Sequence, residues 1–243
     1  MKIAVFADAH AHGDALDAVL ASADASGVAQ LWSLGDMLGG GPDPERVVAT
    51  VRERCAVALV GNHDYGVRGS VEPSRLGPVA GRSIELASEQ LSGDDMAWLR
   101  SRKPAARRGD IQCWHGGPHD PVWEYIGPGN VAKSLTAQKA SVGLAGHTHV
   151  PAAWQATTDS VRREDVVFGV SVDISRGKWL LNPGAVGAPI PSALGWWDGL
   201  EAQAERGAPW LLLDLDARTA TWHRTPFDPS PSRDRARALG LAT

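Results

Sequence analysis

Five short blocks hold the side chains in this chain that could bind metal ions. They are Asp8-Ala9-His10, Gly35-Asp36, Gly61-Asn62-His63-Asp64, His115-Gly116 and Gly146-His147-Thr148-His149. The chemistry open to such a set is that of a dinuclear metal site. Two cations a few ångströms apart repel strongly, and holding them takes a bridging carboxylate and several neutral imidazoles. Asp36 is the natural bridge.

Every block sits where a buried strand would end. Ile3 to Ala7 precedes the first, Leu31 to Leu34 the second, Ala56 to Val60 the third, Ile111 to Trp114 the fourth and Val142 to Ala145 the fifth. Short apolar runs bounded by Gly, Asp or Asn suit strands covered on both faces. The ligands would then converge along one rim of a sheet.

The order Asp-x-His, Gly-Asp, Gly-Asn-His-Asp, His-Gly, Gly-His-x-His resembles that of the calcineurin-like metallophosphoesterase superfamily. Further blocks extend the likeness over roughly residues 1–225. Gly35-Asp36-Met37-Leu38 runs into Gly41-Pro42-Asp43-Pro44-Glu45, His115-Gly116-Gly117-Pro118 into Asp120-Pro121, and Asn182-Pro183-Gly184 follows. These resemble the small bacterial single-domain phosphodiesterase branch. Singly, a Gly-Asp or a Gly-His is as often a turn as a ligand. Five in order after apolar runs are not.

The resemblance implies an α/β fold, a four-layer α/β/β/α sandwich of two mixed sheets with the dinuclear site at the sheet rims. It implies two divalent transition-metal ions, one held by Asp8, His10 and His149, the other by Asn62, His115 and His147, with Asp36 between them. Mixed nitrogen and oxygen ligands suit Mn, Fe, Ni, Zn or Co rather than calcium, and two carboxylates leave such a site strongly positive. A water bridging two such cations becomes a nucleophile near neutral pH, and the same cations neutralise charge on phosphoryl oxygens. By resemblance, His63 does not bind metal but faces the leaving-group oxygen as general acid. Asp64 orients the loop.

Departures from the family pattern mark candidate substrate contacts. Relatives carry Asn where this chain has His12, and often a basic residue where it has His119; each reads equally as a substrate contact or as an exposed loop histidine. After Asn182-Pro183-Gly184 the chain departs again, with Ala188 to Pro191 and then Trp196-Trp197. Those tryptophans either pack on the sheet or form a lip that stacks on a substrate base. The stretch Gly35 to Gly41 lacks the arginine that protein serine/threonine phosphatases and dinucleoside tetraphosphate hydrolases use to grip phosphate, and Gly39 offers no acid to pair with His63. A metal-dependent phosphodiesterase acting on a small phosphate ester, nucleotide-derived in one reading, therefore ranks first. A phosphomonoesterase, a protein phosphatase or a non-catalytic scaffold are the alternatives.

The elements that must position these residues are also visible. Asp14 reads as the cap of a helix with Leu16, Val19, Leu20 and Ala23 on one face, and Asp43-Pro44 opens another with Val47, Val48 and Val51 inward. Ser92 and Asp95 form a capping-box pattern. Residues 66–82 read as loop or irregular helix. From Gly146 onward, runs at Val150 to Trp154, Val166 to Val170, Trp179 to Leu181, Trp210 to Leu215 and Thr219 to Arg224 read as strands of a second sheet, and Ser230 to Leu239 as a short surface helix.

With 243 residues, 43% hydrophobic and 21% charged, the chain has core enough for one domain, 1–243, with an insertion at about 189–207 and a C-terminal surface segment at 226–243. Cys55 and Cys113 lie in or beside apolar runs and read as free thiols of a reducing compartment, hence cytoplasmic. A net charge of −4 with scattered basic residues argues against duplex nucleic acid as partner, and no membrane-spanning stretch is present. Oligomeric state is not encoded in any of these signals.

Overall fold

The computed structural model describes residues 1–187 and 202–241. Twelve strands form in chain order: β1 (Lys2–Phe6), β2 (Gln30–Ser33), β3 (Cys55–Ala58), β4 (Ala105–Arg108), β5 (Ile111–Trp114), β6 (Val142–Ala145), β7 (Ala152–Ala156), β8 (Val161–Glu164), β9 (Ser171–Asp173), β10 (Lys178–Asn182), β11 (Ala208–Asp214) and β12 (Thr219–Thr225). Two six-stranded mixed sheets result, with orders β3-β2-β1-β11-β12-β9 and β4-β5-β6-β10-β7-β8. The helices are α1 (Gly13–Ala25), α2 (Pro44–Arg54), α3 (Asn62–Val67), α4 (Pro78–Gln90), α5 (Gly93–Ser101), α6 (Val131–Ala137) and, at the C-terminal end, α7 (Ser230–Ala238). Residues 202–206 add a helical turn.

The layers follow from strand periodicity. From β1 onward, Ile3, Val5 and Ala7 face the second sheet, where they meet Cys113, Leu144, Trp179 and Leu181, with Leu211, Leu213 and Trp222 beside them. Ala4 and Phe6 face the other way, onto Leu16, Val19 and Leu20 of α1 and Val47, Val48 and Val51 of α2. Alternate residues of one strand thus fill two different cores, so the strand reads as an unbroken apolar run. On the far side, Val131 and Leu135 of α6 cover Ala145, Trp154 and Leu180. The stack is a four-layer α/β/β/α sandwich, as expected.

Some local expectations fail for identifiable reasons. Val166 to Val170 forms no strand; the residues turn there, Val167 and Val170 are exposed, and pairing resumes at β9. β4, β8 and β9 were not foreseen. All three are sheet-edge strands, and an edge strand carries polar residues, such as Arg107, Arg108, Arg162 and Arg163, that conceal it. Asp14 lies inside α1 and does not cap it. The N-cap is His12, whose side chain makes no capping bond, and the Gly13 N–H donates to Asp43 Oδ2 at 3.2 Å. Helix α4 begins at Pro78, inside the stretch read as irregular. The Ser92 cap does form, accepting from Asp95 N at 3.1 Å. Both cysteines are free, Cys113 buried and Cys55 half-buried. Among the described residues no helix is long and apolar enough to cross a membrane.

Candidate metal centre

Strands β1, β2 and β3 run parallel, as do β5, β6 and β10, so the loops leaving their C-terminal ends gather at one end of the sandwich. Asp8 and His10 leave β1, Asp36 leaves β2, Asn62 and His63 open α3 after β3, His115 leaves β5, and His147 and His149 leave β6. Backbone bonds lash these loops together: Asp8 N to Gly35 O at 3.0 Å, His10 N to Asp36 O at 3.0 Å and Gly146 N to His115 O at 2.9 Å. Asn182, at the end of β10, donates to Gly146 O at 2.7 Å and Thr148 Oγ1 at 3.0 Å, and so holds the loop that carries His147 and His149.

The ligand atoms cluster. Asp8, His10 and His149 form one group able to hold a metal ion, Asp36, His115 and His147 a second, and His10, Asp36 and His63 a third that overlaps both. Asp36 stands between the two sides: its Oδ2 lies 3.9 Å from His10 Nε2 and 3.4 Å from His115 Nε2. His10 Nε2 and His149 Nε2 converge to 3.2 Å, and Asn62 Oδ1 lies 3.1 Å from His115 Nε2. The outer nitrogens set the tautomers. His115 Nδ1 faces Leu34 O at 3.0 Å and His10 Nδ1 faces Gly39 O at 3.0 Å, which leaves both Nε2 lone pairs aimed at the centre.

The donor set fits divalent cations. Asp8 Oδ1 and His147 Nε2 are buried with no hydrogen-bond partner among the described residues, an arrangement that costs energy unless something binds there. Burial, and then His115, hold the His147 imidazole down to about 3, so it is neutral and can ligate. Burial and then His63 likewise hold His10 well below its ordinary value. Burial opposes charge on His115, yet Asp36, Asp8 and Asp64 push it up to about 9, so a cation would bind at its Nε2 by displacing a proton. Burial also opposes charge on Asp36, but His115 and His63 hold its carboxyl well below the usual range.

The backbone is bent to make this possible. Asp8, His10, Asp36, His147 and His149 all have φ between 47° and 63°, the left-handed region that L-residues enter at a cost of about 1–2 kcal/mol each. Gly61 has no side chain because Asp36 Oδ1 and the His115 ring occupy the space a Cβ would fill. At Gly39 a Cβ would lie 2.5 Å from His63 Nδ1, so the ring occupies the space that a side chain there would need. Asp64 accepts from Gly61 N at 2.9 Å, Leu38 N at 3.1 Å and Met37 N at 3.4 Å, joining two ligand loops. His63 N donates to Asp36 Oδ1 at 2.9 Å.

Of the candidate substrate contacts among the described residues, neither His12 nor His119 joins the metal-capable groups. His12 is buried, not exposed: the Gly187 backbone covers it, and burial brings it down to about 4 against the pull of Asp43 and Asp14. His119 is exposed, its backbone N–H donating to Glu124 Oε2 at 2.8 Å. Trp196 and Trp197, with most of the expected 189–207 insertion, lie outside the described residues. Tyr125 was missed altogether. Although 65% exposed, its ring lies 3.9 Å from that of His147, and burial with Asp36 and Asp8 nearby raises its hydroxyl. A lone aromatic in an aperiodic loop gives no sequence signal of such a place.

The calcineurin-like phosphoesterase superfamily domain model matches residues 1–195. The chain belongs to that family and is a metal-binding hydrolase of phosphoric ester bonds. The crystal structure of a metallophosphoesterase from Sphaerobacter thermophilus is 31% identical over 99% of this chain and 95% of that one, with a TM-score of 0.82. A hypothetical protein from Pyrococcus horikoshii OT3 shares the fold at 17% identity, covering 99% of this chain and 94% of that one, with a TM-score of 0.75. An uncharacterized protein of Methanocaldococcus jannaschii is 28% identical over 192 residues, 77% of this chain and 76% of its own length.

Proposed function

We propose that the protein is a two-metal phosphodiesterase, with Asp8, His10 and His149 on one cation, Asn62, His115 and His147 on the other, and Asp36 shared. The observation that carries this reading is the position of Asp36 Oδ2, 3.4 Å from His115 Nε2 and 3.9 Å from His10 Nε2, between two otherwise separate groups. When bound, divalent transition metals such as Mn, Fe, Ni, Zn or Co supply an activated water and neutralise phosphoryl charge.

The chain's own residues do the rest. Asp36 offsets the repulsion between the cations and, through its Oδ1, fixes the start of α3, where His63 sits. His63 lies against His10, ring centroids 4.6 Å apart, and although it groups with His10 and Asp36, we assign it to neither cation. From there it donates a proton to the departing oxygen. Burial lowers its proton affinity, Asp36 and the Gly39 carbonyl restore part of it, and the His115 charge lowers it again. The loop Gly35 to Gly41 carries no arginine to neutralise a second phosphate charge, which favours the monoanionic diester over the dianionic monoester. The substrate is a small phosphate ester, and the reducing character of the chain's free thiols suits a cytoplasmic enzyme.

The test is turnover of p-nitrophenyl phosphate against methyl p-nitrophenyl phosphate by protein loaded with Mn²⁺, Ni²⁺ or Zn²⁺. The expected result is a higher kcat/KM for the diester. Preference for the monoester would overturn the diester assignment, and inactivity on both would favour a scaffold.

A further inference from the structure

Beside the cluster, a recess of about 70 Å³ opens between His149, Pro151, Gln203, Arg206, Pro209 and Arg224. It has room for a few heavy atoms. Its two arginines come from different elements. Arg224 projects from β12, opposite Pro209 in the strand register, and its guanidinium lies 3.9 Å from the centre of the Phe168 ring, which fixes its plane. Arg206 ends the helical turn at 202–206.

Neither arginine has an ion-pair partner among the described residues, whereas Arg46, Arg52, Arg54 and Arg235 all pair with aspartates. Burial lowers the proton affinity of Arg224, and the neighbouring Arg206 charge lowers it further. Two like charges facing one recess with no carboxylate among the described residues that line it favour an anion. The wall adds a second signal. Gln203, 8% exposed, donates through Nε2 to Ala185 O at 2.6 Å and Val186 O at 3.0 Å, so its amide orientation is fixed. Its Oε1 remains buried without a hydrogen-bond partner among the described residues.

We infer that this recess is a second anion subsite, and that the substrate is a phosphodiester with a phosphate or carboxylate on one ester arm, held by Arg206 and Arg224 while the scissile phosphoryl group lies beside His149. This rests on the phosphodiesterase reading. His149 lines both the recess and the first metal-capable group, so the two adjoin. The unused acceptor of Gln203 suits a hydroxyl next to the anion.

The experiment uses p-nitrophenyl phosphodiesters whose other arm ends in a methyl, a carboxylate or a phosphate, with metal-loaded full-length protein. In the wild type, kcat/KM for one of the anionic arms should exceed that for methyl by about tenfold or more. The preference should erode as salt rises. In Arg206→Ala and Arg224→Ala the ratio of anionic to methyl arm should fall towards one, with Arg224→Lys recovering part of it. A phosphate preference and a carboxylate preference both support the subsite and tell the two sources apart. Absence of any preference in the wild type, or parallel losses on all three arms, would overturn it. Calorimetric binding of the corresponding non-hydrolysable phosphonates reads the same ratio without turnover, so failure of the hydrolysis reading is distinguishable from failure of the subsite. Thermal melts of each variant confirm folding.

Discussion

A left-handed backbone at Asp8, His10, Asp36, His147 and His149 is the residue-scale cost of converging so many ligands. At Asp36 the turn is held in part by Asp64, which accepts from the N–H groups of Met37, Leu38 and Gly61 across two loops. Asp64→Ala orphans these buried donors and should lower unfolding free energy by about 2–4 kcal/mol, with Asp64→Asn recovering part. Urea titration checks this, and a loss within error of zero would remove Asp64 from the frame. His63 is tested differently. His63→Asn should keep its metals and lose about 10²–10⁴-fold in kcat on esters with alkoxide leaving groups, but much less on nitrophenyl esters. Equal losses on both would show a positioning role. The residues that cluster were legible in the sequence because metal chemistry admits few residue types and each block follows an apolar run. Of the two readings of His12 the exposed one fails, and part of what packs against it, Gly187, lies far along the chain. Arg206 and Arg224 belong to no motif, and only the β11–β12 pairing and the turn before it bring them together.

At the scale of elements, the C-terminal helix is tied into the fold by charge. Arg235 of α7 donates from Nε to Asp43 Oδ1 at 2.6 Å and from Nη2 to Asp43 Oδ2 at 2.8 Å and Asp14 Oδ2 at 2.7 Å. Asp43 in turn accepts from the first N–H of α1, so one carboxylate joins α1, α2 and α7. Burial opposes the charge on Asp14, but Arg46 and Arg235 hold its carboxyl below the usual range. Such a group stabilises the fold above its unfolded-state pKa, near 4, and that stability is lost as pH falls through the lowered folded value. Arg235→Ala should therefore cost about 1–2 kcal/mol at pH 7, discounted for its partial exposure, and the gap from wild type should shrink below about pH 4. Denaturation at both pH values reads it; a pH-independent gap would mean that the arginine acts through packing. Asp43 was legible as a helix start, yet its cross-links were not, since they join residues far apart in sequence. The edge strands β4, β8 and β9 escaped for a related reason: strand pairing, not apolar pattern, defines them.

In the whole molecule, the metal centre joins the two sheets. Asp8, His10, Asp36 and Asn62 come from loops of the first sheet, and His115, His147 and His149 from the second. Cations bound there clip one sheet to the other. Chelation should lower Tm, and Mn²⁺ should restore it in a concentration-dependent way, since a ligand of the native state alone stabilises by mass action. A Tm indifferent to chelator would contradict this. The apolar runs ending in glycine-flanked loops showed the strands, while the sandwich itself was legible only through the family resemblance that those blocks carry.

The central claim is that Asp36 is shared by two cations, and metal stoichiometry tests it most directly. Elemental analysis of protein purified without chelator, reloaded with Mn²⁺ and desalted should give two ions per chain for the wild type and fewer for Asp36→Asn, because loss of the carboxylate charge leaves the cation repulsion unrelieved. One ion or none in the wild type, or two in Asp36→Asn, would contradict the dinuclear site.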